Sequence, residues 1–491
     1  MEIGATEYQT AGLKSETYCL LLLLTAGLVP RLLFIHIFPT VPVSDFRSLV
    51  QFAELFRDSL LPPDSWHWTA LNPGLPVLLS PFLKLFGGNP DTVARYSTAI
   101  CMGLLPIIPF LMLSRSLTLR ARMVIAMTLA LLPALIVFSG VVAQDNWVAA
   151  PTLALLCLAV RSLTNQDGGH PFWSALLFAL SIYIRQEMLV VLAPAAVVAA
   201  GVGTGNCRLV RSLLLWAAAF GLLMLAMASQ RAIVTGRFAI TTEHGGKSVL
   251  GAYVPGVGTG YWIDPLPFVA AVDQSLANDP QRLNREAFGL ALKEFKRRPL
   301  FHIVRMISSS LSSLRNFDRY SFYWSLRRED VLPKESHSPA EGFIQKISLF
   351  SGLSLLMLHA LFLWALVIGF MIRSRPIGLV SLTIFLKVAI HAVLVTQARY
   401  FIPVIALEAL GCGLAVEAVL NREHMRRSVM TGLAATLMLL VLWFVQVKAE
   451  HYFLVHMEPP ISHPLSLNTP KGDRMSEDSL SRVHLLSPLH K

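Results

Sequence analysis

Runs of about twenty apolar residues, the length a helix needs to cross a bilayer, recur along this chain with mostly short polar turns between them. Of the 491 residues, 54% are hydrophobic and 14% charged, where soluble domains carry about 25% charged residues. Much of the surface therefore faces something other than water. The expected fold class is an all-α polytopic membrane protein.

Apolar length gives about eleven spans, at residues 18–38, 95–113, 123–143, 147–160, 172–184, 188–202, 212–229, 347–372, 377–396, 401–420 and 429–447. Residues 72–88, "NPGLPVLLSPFLKLFGG", are apolar but short and punctuated by prolines, which predicts a helix at the membrane surface. Residues 1–458 read as one membrane domain that includes a long, mostly non-spanning segment, 230–345. The stretch 459–491 mixes Ser, Pro and both charge signs and reads as a disordered tail. The first apolar run is too long for a signal-peptide core and has no clean small-residue cleavage site, so it is expected to stay as a helix.

The net charge of +11 gathers in short loops: Arg115, Arg120 and Arg122, then Arg208 and Arg211, then Arg373 and Arg375, then Arg422, Arg426 and Arg427. Loops of this kind face the cytoplasm. The eleven spans allow all four to do so. Asp45, Asp145, residues 185–187, segment 230–345 and residues 397–400 then share the outer, periplasmic face of an inner (plasma) membrane. No basic stripe with interleaved aromatics points to nucleic acid. Chemistry on the outer face lies away from ATP, so it needs an activated donor that membranes can carry. A lipid-linked donor meets that requirement.

Cys19, Cys101, Cys157 and Cys412 lie in apolar runs and Cys207 in a basic loop, with neither metal-ligand nor disulfide spacing, and read as small apolar residues. "HGGKS", His244 to Ser248, lacks the first glycine of a phosphate loop, which Thr241 replaces. No internal repeat of the kind that builds two-halved transporters is evident.

Asp45 and Asp145 each follow a span on the same side. They either end helices in water or work together, sharing a divalent cation or dividing base and positioning roles. Arg31 lies inside the first span, where a guanidinium faces a partner or cavity or snorkels to the surface. Arg185, Gln186 and Glu187 stand in "SIYIRQEMLVV", either a plain turn or a polar cavity lining. Lys387 and His391, four residues apart on one helix face, are costly in a span and read as facing a cavity or ion partner. Arg399 is suited to grip a phosphate through paired hydrogen bonds, with Tyr400 beside it as a lining or interfacial residue. In segment 230–345, Phe288, Ala291, Leu292 and Phe295 fall at helical spacing opposite Lys293, Glu294 and Arg297, as in a helix lying on lipid or packed at a surface.

Five features occur in a particular order. They are an arginine in the first span ("VPRLLF"), a loop aspartate ("PVSDFRSLVQFAELF"), a proline-rich segment ("LNPGLPVLLSPFLKLFGG"), an acid opening the next outer loop ("AQDNWVAAPTLALLCLAV") and a late "QARYFIPVIALEALGCGLAVEAV". In this order the chain resembles the GT-C membrane glycosyltransferases, and among them bacterial glycosyltransferase family 39, the protein mannosyltransferase and aminoarabinose transferase relatives. The resemblance covers residues 18–420 and is strongest over 31–161. It implies a GT-C-like helix bundle and a polyprenyl-phosphate sugar donor. It also implies a catalytic role for Asp45, an assisting or metal-contacting role for Asp145, and basic residues on the donor phosphate. Arg399 is the first choice for that phosphate, followed by Arg185 and Lys387. Two positions depart from the pattern. Phe46 stands where many relatives have a second acid, and Asn146 and Trp147 follow Asp145, so no DxD pair forms.

The expected function is transfer of a sugar from a polyprenyl-phosphate carrier to a lipid, glycan or protein acceptor, among membrane lipids, with a divalent cation as the one cofactor considered. A polysaccharide polymerase or ligase would use cations to hold a lipid pyrophosphate and would not need Asp45. A transporter would place coupling carboxylates at mid-membrane.

Overall fold

The computed structural model describes residues 2–38, 40, 42, 45–164, 169–201, 208–240, 242, 245–254, 264–277, 280–315, 339–394, 397–420, 432, 437–438 and 441. Among the described residues there are helices and turns and no strand. The chain opens with α1 (Glu2–Ile37), α2 (Asp45–Asp58), α3 (Ser65–Ala70), α4 (Gly74–Phe86), α5 (Pro90–Leu104), α6 (Ile107–Met112), α7 (Leu119–Leu131), α8 (Pro133–Phe138) and α9 (Gln144–Thr164). It continues through α10 (Pro171–Ile184), α11 (Met188–Val191), α12 (Ala193–Ala199) and α13 (Arg208–Thr235). Segment 230–345 holds α14 (Gly245–Gly251), α15 (Leu266–Val272), α16 (Gln274–Ala277), α17 (Pro280–Arg297) and α18 (Pro299–Arg315). Then follow α19 (Pro339–Met371), α20 (Arg375–Val393), the 3-10 turn η1 (Ala398–Phe401) and α21 (Ile402–Leu420).

Among the described residues, seven helical stretches are long and apolar enough to cross a membrane: Ser15–Ile37, Pro90–Met112, Gln144–Thr164, Val210–Thr235, Leu349–Met371, Arg375–Val393 and Ala398–Leu420. Three other expected spans are interrupted or short. Residues 123–143 break at Pro133, where Leu132 turns extended (φ −63°, ψ 115°) and α8 starts afresh. Residues 172–184 form α10, only 14 residues long. Residues 188–202 divide at Leu192 into α11 and α12, with a proline in the first turn of α12. Span 429–447 lies almost wholly outside the described residues, and the tail 459–491 entirely so.

Helix α9 and the α21 span are central, with 78% of each buried, whereas α13 is 11% buried and peripheral. Helices α1 and α5 approach so closely that a Cβ on Gly27 would overlap the Gly103 carbonyl, the small-residue packing that membrane helices favour. At the end of the bundle with the basic loops, Thr118 donates to Glu417 through its N–H at 2.8 Å and its Oγ1 at 2.6 Å, fixing the start of α7 to the end of α21. Arg122 meets Glu16 at 2.7 Å nearby. At the opposite end, α2 lays Phe46, Leu49, Val50 and Ala53 inward and packs on α4, the helix expected from residues 72–88.

Candidate active site

Five chain segments meet at that opposite end. Asp145 sits in the first turn of α9, where a helix N-terminus favours a carboxylate. The turn before it is pinned by Asn146, whose Nδ2 donates to the carbonyls of Phe138 (3.1 Å) and Val141 (2.7 Å). Trp147 Nε1 donates to Thr98 Oγ1 at 3.1 Å and ties α9 to α5. The two residues that replace a second acid after Asp145 are therefore anchors that fix its position. Arg185 and Glu187 occupy the turn between α10 and α11. Gly74 of α4 presses on that turn from outside, where a Cβ would come within 2.5 Å of the Tyr183 carbonyl. Lys387 and His391 come from the last turns of α20, Arg399 and Tyr400 from η1, and Asp45 and Phe46 from the start of α2.

These side chains form one ion network. Glu187 is its hub: its Oε1 lies 2.6 Å from Arg185 Nε, 3.1 Å from Lys387 Nζ and 3.6 Å from His391 Nε2. Arg185 reaches on to Asp145 Oδ2 at 3.3 Å. The Tyr400 ring bridges the rest, with Arg185 over it at 4.6 Å, Arg399 at 5.3 Å and the His391 ring stacked at 4.5 Å. Arg399 then reaches Asp45 Oδ2 at 3.3 Å and lies 5.0 Å over the Phe46 ring. Three acidic side chains, Asp45, Asp145 and Glu187, thus meet three basic ones, Arg185, Lys387 and Arg399. Burial alone would raise the Glu187 carboxyl, but Arg185, Lys387 and His391 hold it well below the usual carboxylate range.

The two aspartates differ sharply in access. The Asp145 side chain is 1% exposed and that of Asp45 is 64% exposed. Asp145 Oδ1 is buried and has no hydrogen-bond partner among the described residues.

The network contains every site residue expected from sequence except Arg31. Arg31 lies among α1 and α7, donating through Nη1 to the carbonyls of Gly27 and Ala130 and through Nη2 to that of Leu129, each at 2.8 Å. The Leu129 carbonyl is the one that residue 133 would serve in a continuous helix, and Pro133 has no N–H. Arg31 supplies the missing donor.

A divalent cation finds no ready site here. No three His, Cys, Asp or Glu side chains gather in ligand arrangement among the described residues. Asp45 and Asp145 are each engaged by an arginine that a metal would have to displace. The donor set does not fit a resident metal.

Several contacts escape a reading of sequence. Phe46 is a platform for Arg399, and Gln186 Oε1 accepts the Thr242 N–H at 3.0 Å, joining segment 230–345 to the site turn. His359 and Glu408 pair at 2.8 Å near the middle of two spans. The rule that singled out Lys387, a charge within an apolar run, would have found Glu408 in "FIPVIALEALGCGL". In α17 the packed face is Leu283, Ala287 and Ala291, while Phe288 and Leu292 stay exposed.

Compared with known proteins, residues 71–230 match the sequence profile of a family described as dolichyl-phosphate-mannose-protein mannosyltransferase. The matched stretch includes Asp145, Arg185 and Glu187 and excludes Asp45, Lys387, His391, Arg399 and Tyr400. No curated protein matches the chain. Among solved structures, it is similar to the Archaeoglobus fulgidus oligosaccharyltransferase in the apo form, at 14% identity and a TM-score of 0.45, over 89% of this chain and 55% of that one. It is likewise similar to the oligosaccharyltransferase AglB of Archaeoglobus fulgidus in complex with an inhibitory peptide and a dolichol-phosphate, at 14% identity and a TM-score of 0.43, over 87% of this chain and 55% of that one. This chain thus spans about half the length of the solved proteins it matches.

Proposed function

We propose that this chain, whose residues 71–230 match the dolichyl-phosphate-mannose-protein mannosyltransferase family, is a GT-C-like membrane glycosyltransferase that moves a sugar from a polyprenyl-phosphate carrier to an acceptor hydroxyl at the outer face of the membrane. The observation that carries the proposal is the Arg399–Asp45 pair, set at the exposed edge of an otherwise buried ion network. Asp45 is the carboxylate an acceptor can reach. It takes the proton of the acceptor hydroxyl as that oxygen bonds to the anomeric carbon. The bond from that carbon to the phosphate oxygen breaks with inversion, and its electron pair leaves on the lipid phosphate. Arg399 lies beside Asp45 to meet the charge that grows there. Arg185 stands behind it across the Tyr400 ring. Asp145, Glu187 and Lys387 position these arginines from the buried side.

The family's description supports a lipid-phosphate mannose donor in particular. The cluster itself supports only the coarser class, since a lipid-linked sugar of any kind presents a phosphate. Purified protein incubated with polyprenyl-phosphate sugars and a membrane extract should yield a product whose mass identifies sugar and acceptor. Asp45→Asn should cut its formation by about a hundredfold or more; undiminished transfer by that variant would sink the mechanism.

A second reading, solute transport, draws on the buried Glu408–His359 pair at mid-span. Sealed vesicles that accumulate solute while no glycosylated product forms would establish it and overturn the first.

A further inference from the structure

Helix α18 enters the bundle from the end that carries the site and stops halfway. Its Met306 packs in the small core of segment 230–345, together with Leu394 and Tyr400. Leu314, about 12 Å further along the helix axis, packs against the main core of the bundle. The Leu314 backbone carbonyl approaches the ring of His359. His359 is one residue from the midpoint of the span Leu349–Met371, and its partner Glu408 one residue from the midpoint of Ala398–Leu420. Leu314 is the last residue but one of α18, so the helix ends at mid-span depth. Its surface agrees. Leu300, Ile303 and Ile307 are 73%, 43% and 57% exposed, while His302, Arg305, Ser308, Ser309 and Ser310 are buried. The helix is inverted relative to one in water, and turns an apolar side to acyl chains.

A helix leaves its last four carbonyls without partners inside it, and at mid-bundle no bulk water meets them. His359 is placed to meet one. Its Nδ1 lies 2.8 Å from Glu408 Oε2, which orients the ring. Its Nε2 is buried and closes no hydrogen bond of ordinary geometry among the described residues, and the Leu314 carbonyl is the acceptor beside the ring. The end of a helix carries partial negative charge, which suits a donating histidine.

The rest of α18 bears on the proposed active site. It packs on α20, η1 and α19. Arg305 lies 5.0 Å over the Tyr253 ring, and the Tyr253 hydroxyl donates to the Val393 carbonyl at the end of α20 at 2.8 Å. Met306 shares a core with Tyr400, the ring that Arg185 and Arg399 both approach. A slip of α18 by one residue moves Met306 about 1.5 Å past Tyr400.

We propose that His359, oriented by Glu408, caps the buried end of α18 and so latches that helix at the depth where it supports Tyr400. His359 and Glu408 are then positioning residues for sugar transfer. They act through α18 on η1, whose Arg399 is set to meet the departing phosphate. The consequence for catalysis rests on the proposed function; the latch itself does not.

The test replaces both partners at once, His359→Leu with Glu408→Leu, since exchanging a buried ion pair for apolar residues often leaves stability intact. His359→Leu with Glu408→Gln stands in if that variant fails to fold. Hydrogen–deuterium exchange of the full-length protein in detergent reads the latch. Steady-state kinetics with the lipid-linked donor reads its consequence. Amides in the last two turns of α18 and in η1 should exchange about tenfold or more faster, with α9 unchanged. The kcat should fall about tenfold or more, with a smaller change in KM for the donor. His359→Gln keeps an N–H for the carbonyl and should hold both readouts within about threefold of wild type. Unchanged exchange in α18 overturns the latch, as does His359→Gln opening α18 as far as the double variant. Faster exchange spread equally over α9 is general loosening and also overturns it. Faster exchange in α18 with kcat and KM unaltered overturns the positioning role. If the wild type transfers no sugar while the double variant opens α18 as expected, the proposed function falls and the latch stands.

Discussion

Arg399 donates to Asp45 across 3.3 Å while its guanidinium lies 5.0 Å over the ring of the very next residue, Phe46. One cation is thus held by two neighbours in different ways, the carboxylate by charge and the ring by its π face. Phe46 is 3% exposed, so the platform is rigid. The position where a second acid was expected serves to aim an arginine.

Asp45→Asn should lower the turnover number by about a hundredfold or more, the usual worth of a positioned base. Arg399→Lys should also lose activity strongly, because a lysine cannot reproduce a planar fork stacked on rings. Phe46→Leu keeps the site apolar and removes the π face. It should raise KM for the lipid donor with a smaller change in kcat. Steady-state kinetics with the lipid-linked donor separates these outcomes, and a Phe46→Leu enzyme with wild-type KM would dismiss the platform.

Glu187 holds Arg185, Lys387 and His391 together, and its removal takes the carboxylate partner from the buried Lys387 while Arg185 keeps only Asp145. Glu187→Gln should destabilise by about 3–5 kcal/mol, as breaking a buried ion pair does. Its carboxyl lies well below the ordinary value of 4.5 in the folded protein. A depressed carboxyl contributes stability that is complete above its unfolded value and disappears as pH falls through the folded one. The deficit of Glu187→Gln should therefore be constant from about pH 6 to 8 and shrink only below about pH 4.5. Thermal unfolding in detergent across that range checks it; a deficit already shrinking near neutral pH would place the titration elsewhere.

The ionic site was legible because charges in or beside apolar runs are expensive, and the chain keeps them only where they meet. That rule marks Lys387, Arg185, Glu187 and Arg399 from sequence alone. It gives no partners, since Glu187 and Lys387 are 200 residues apart in sequence. The same rule marks Arg31 for a cavity, although the need it meets is local to α7 and depends on Pro133, 102 positions away in sequence. Span counting succeeded for unbroken runs. At Pro133 and at Leu192 hydropathy continues where the helix does not, so apolar length alone joins what the fold divides. The inverted α18 had no sequence signal beyond amphipathicity, because periodicity tells which residues share a face and not which face is buried.

If Arg31 substitutes for the amide that Pro133 lacks, the two positions should be energetically coupled. Arg31→Leu alone leaves the carbonyls of Leu129 and Ala130 unmet in an apolar setting and should destabilise by about 1–3 kcal/mol or more. Pro133→Ala alone should have a small effect. In the double variant, the new backbone N–H at position 133 can serve the Leu129 carbonyl, so part of the loss is restored, by about 1 kcal/mol. Strict additivity in a double-mutant cycle of unfolding free energies would remove Pro133 from the explanation.

Helix α19 ends in a turn that a glycine would suit better. Arg373 has φ 52°, in the left-handed region, with its N–H on the Phe370 carbonyl at 3.3 Å and the Ser374 N–H on the Gly369 carbonyl at 2.8 Å. This is the hydrogen-bond pattern of a Schellman ending, whose left-handed position is most often glycine. An arginine there carries a steric penalty of about 1 kcal/mol, offset by its value as a basic residue in a short loop. Arg373→Gly should raise thermal stability by up to about 1 kcal/mol, and Arg373→Asn by less, since asparagine tolerates this conformation better than other side chains. Arg373→Ala removes the same charge without relieving the backbone and should give no gain. If alanine stabilises as much as glycine, the benefit comes from the lost charge and backbone strain is not its source.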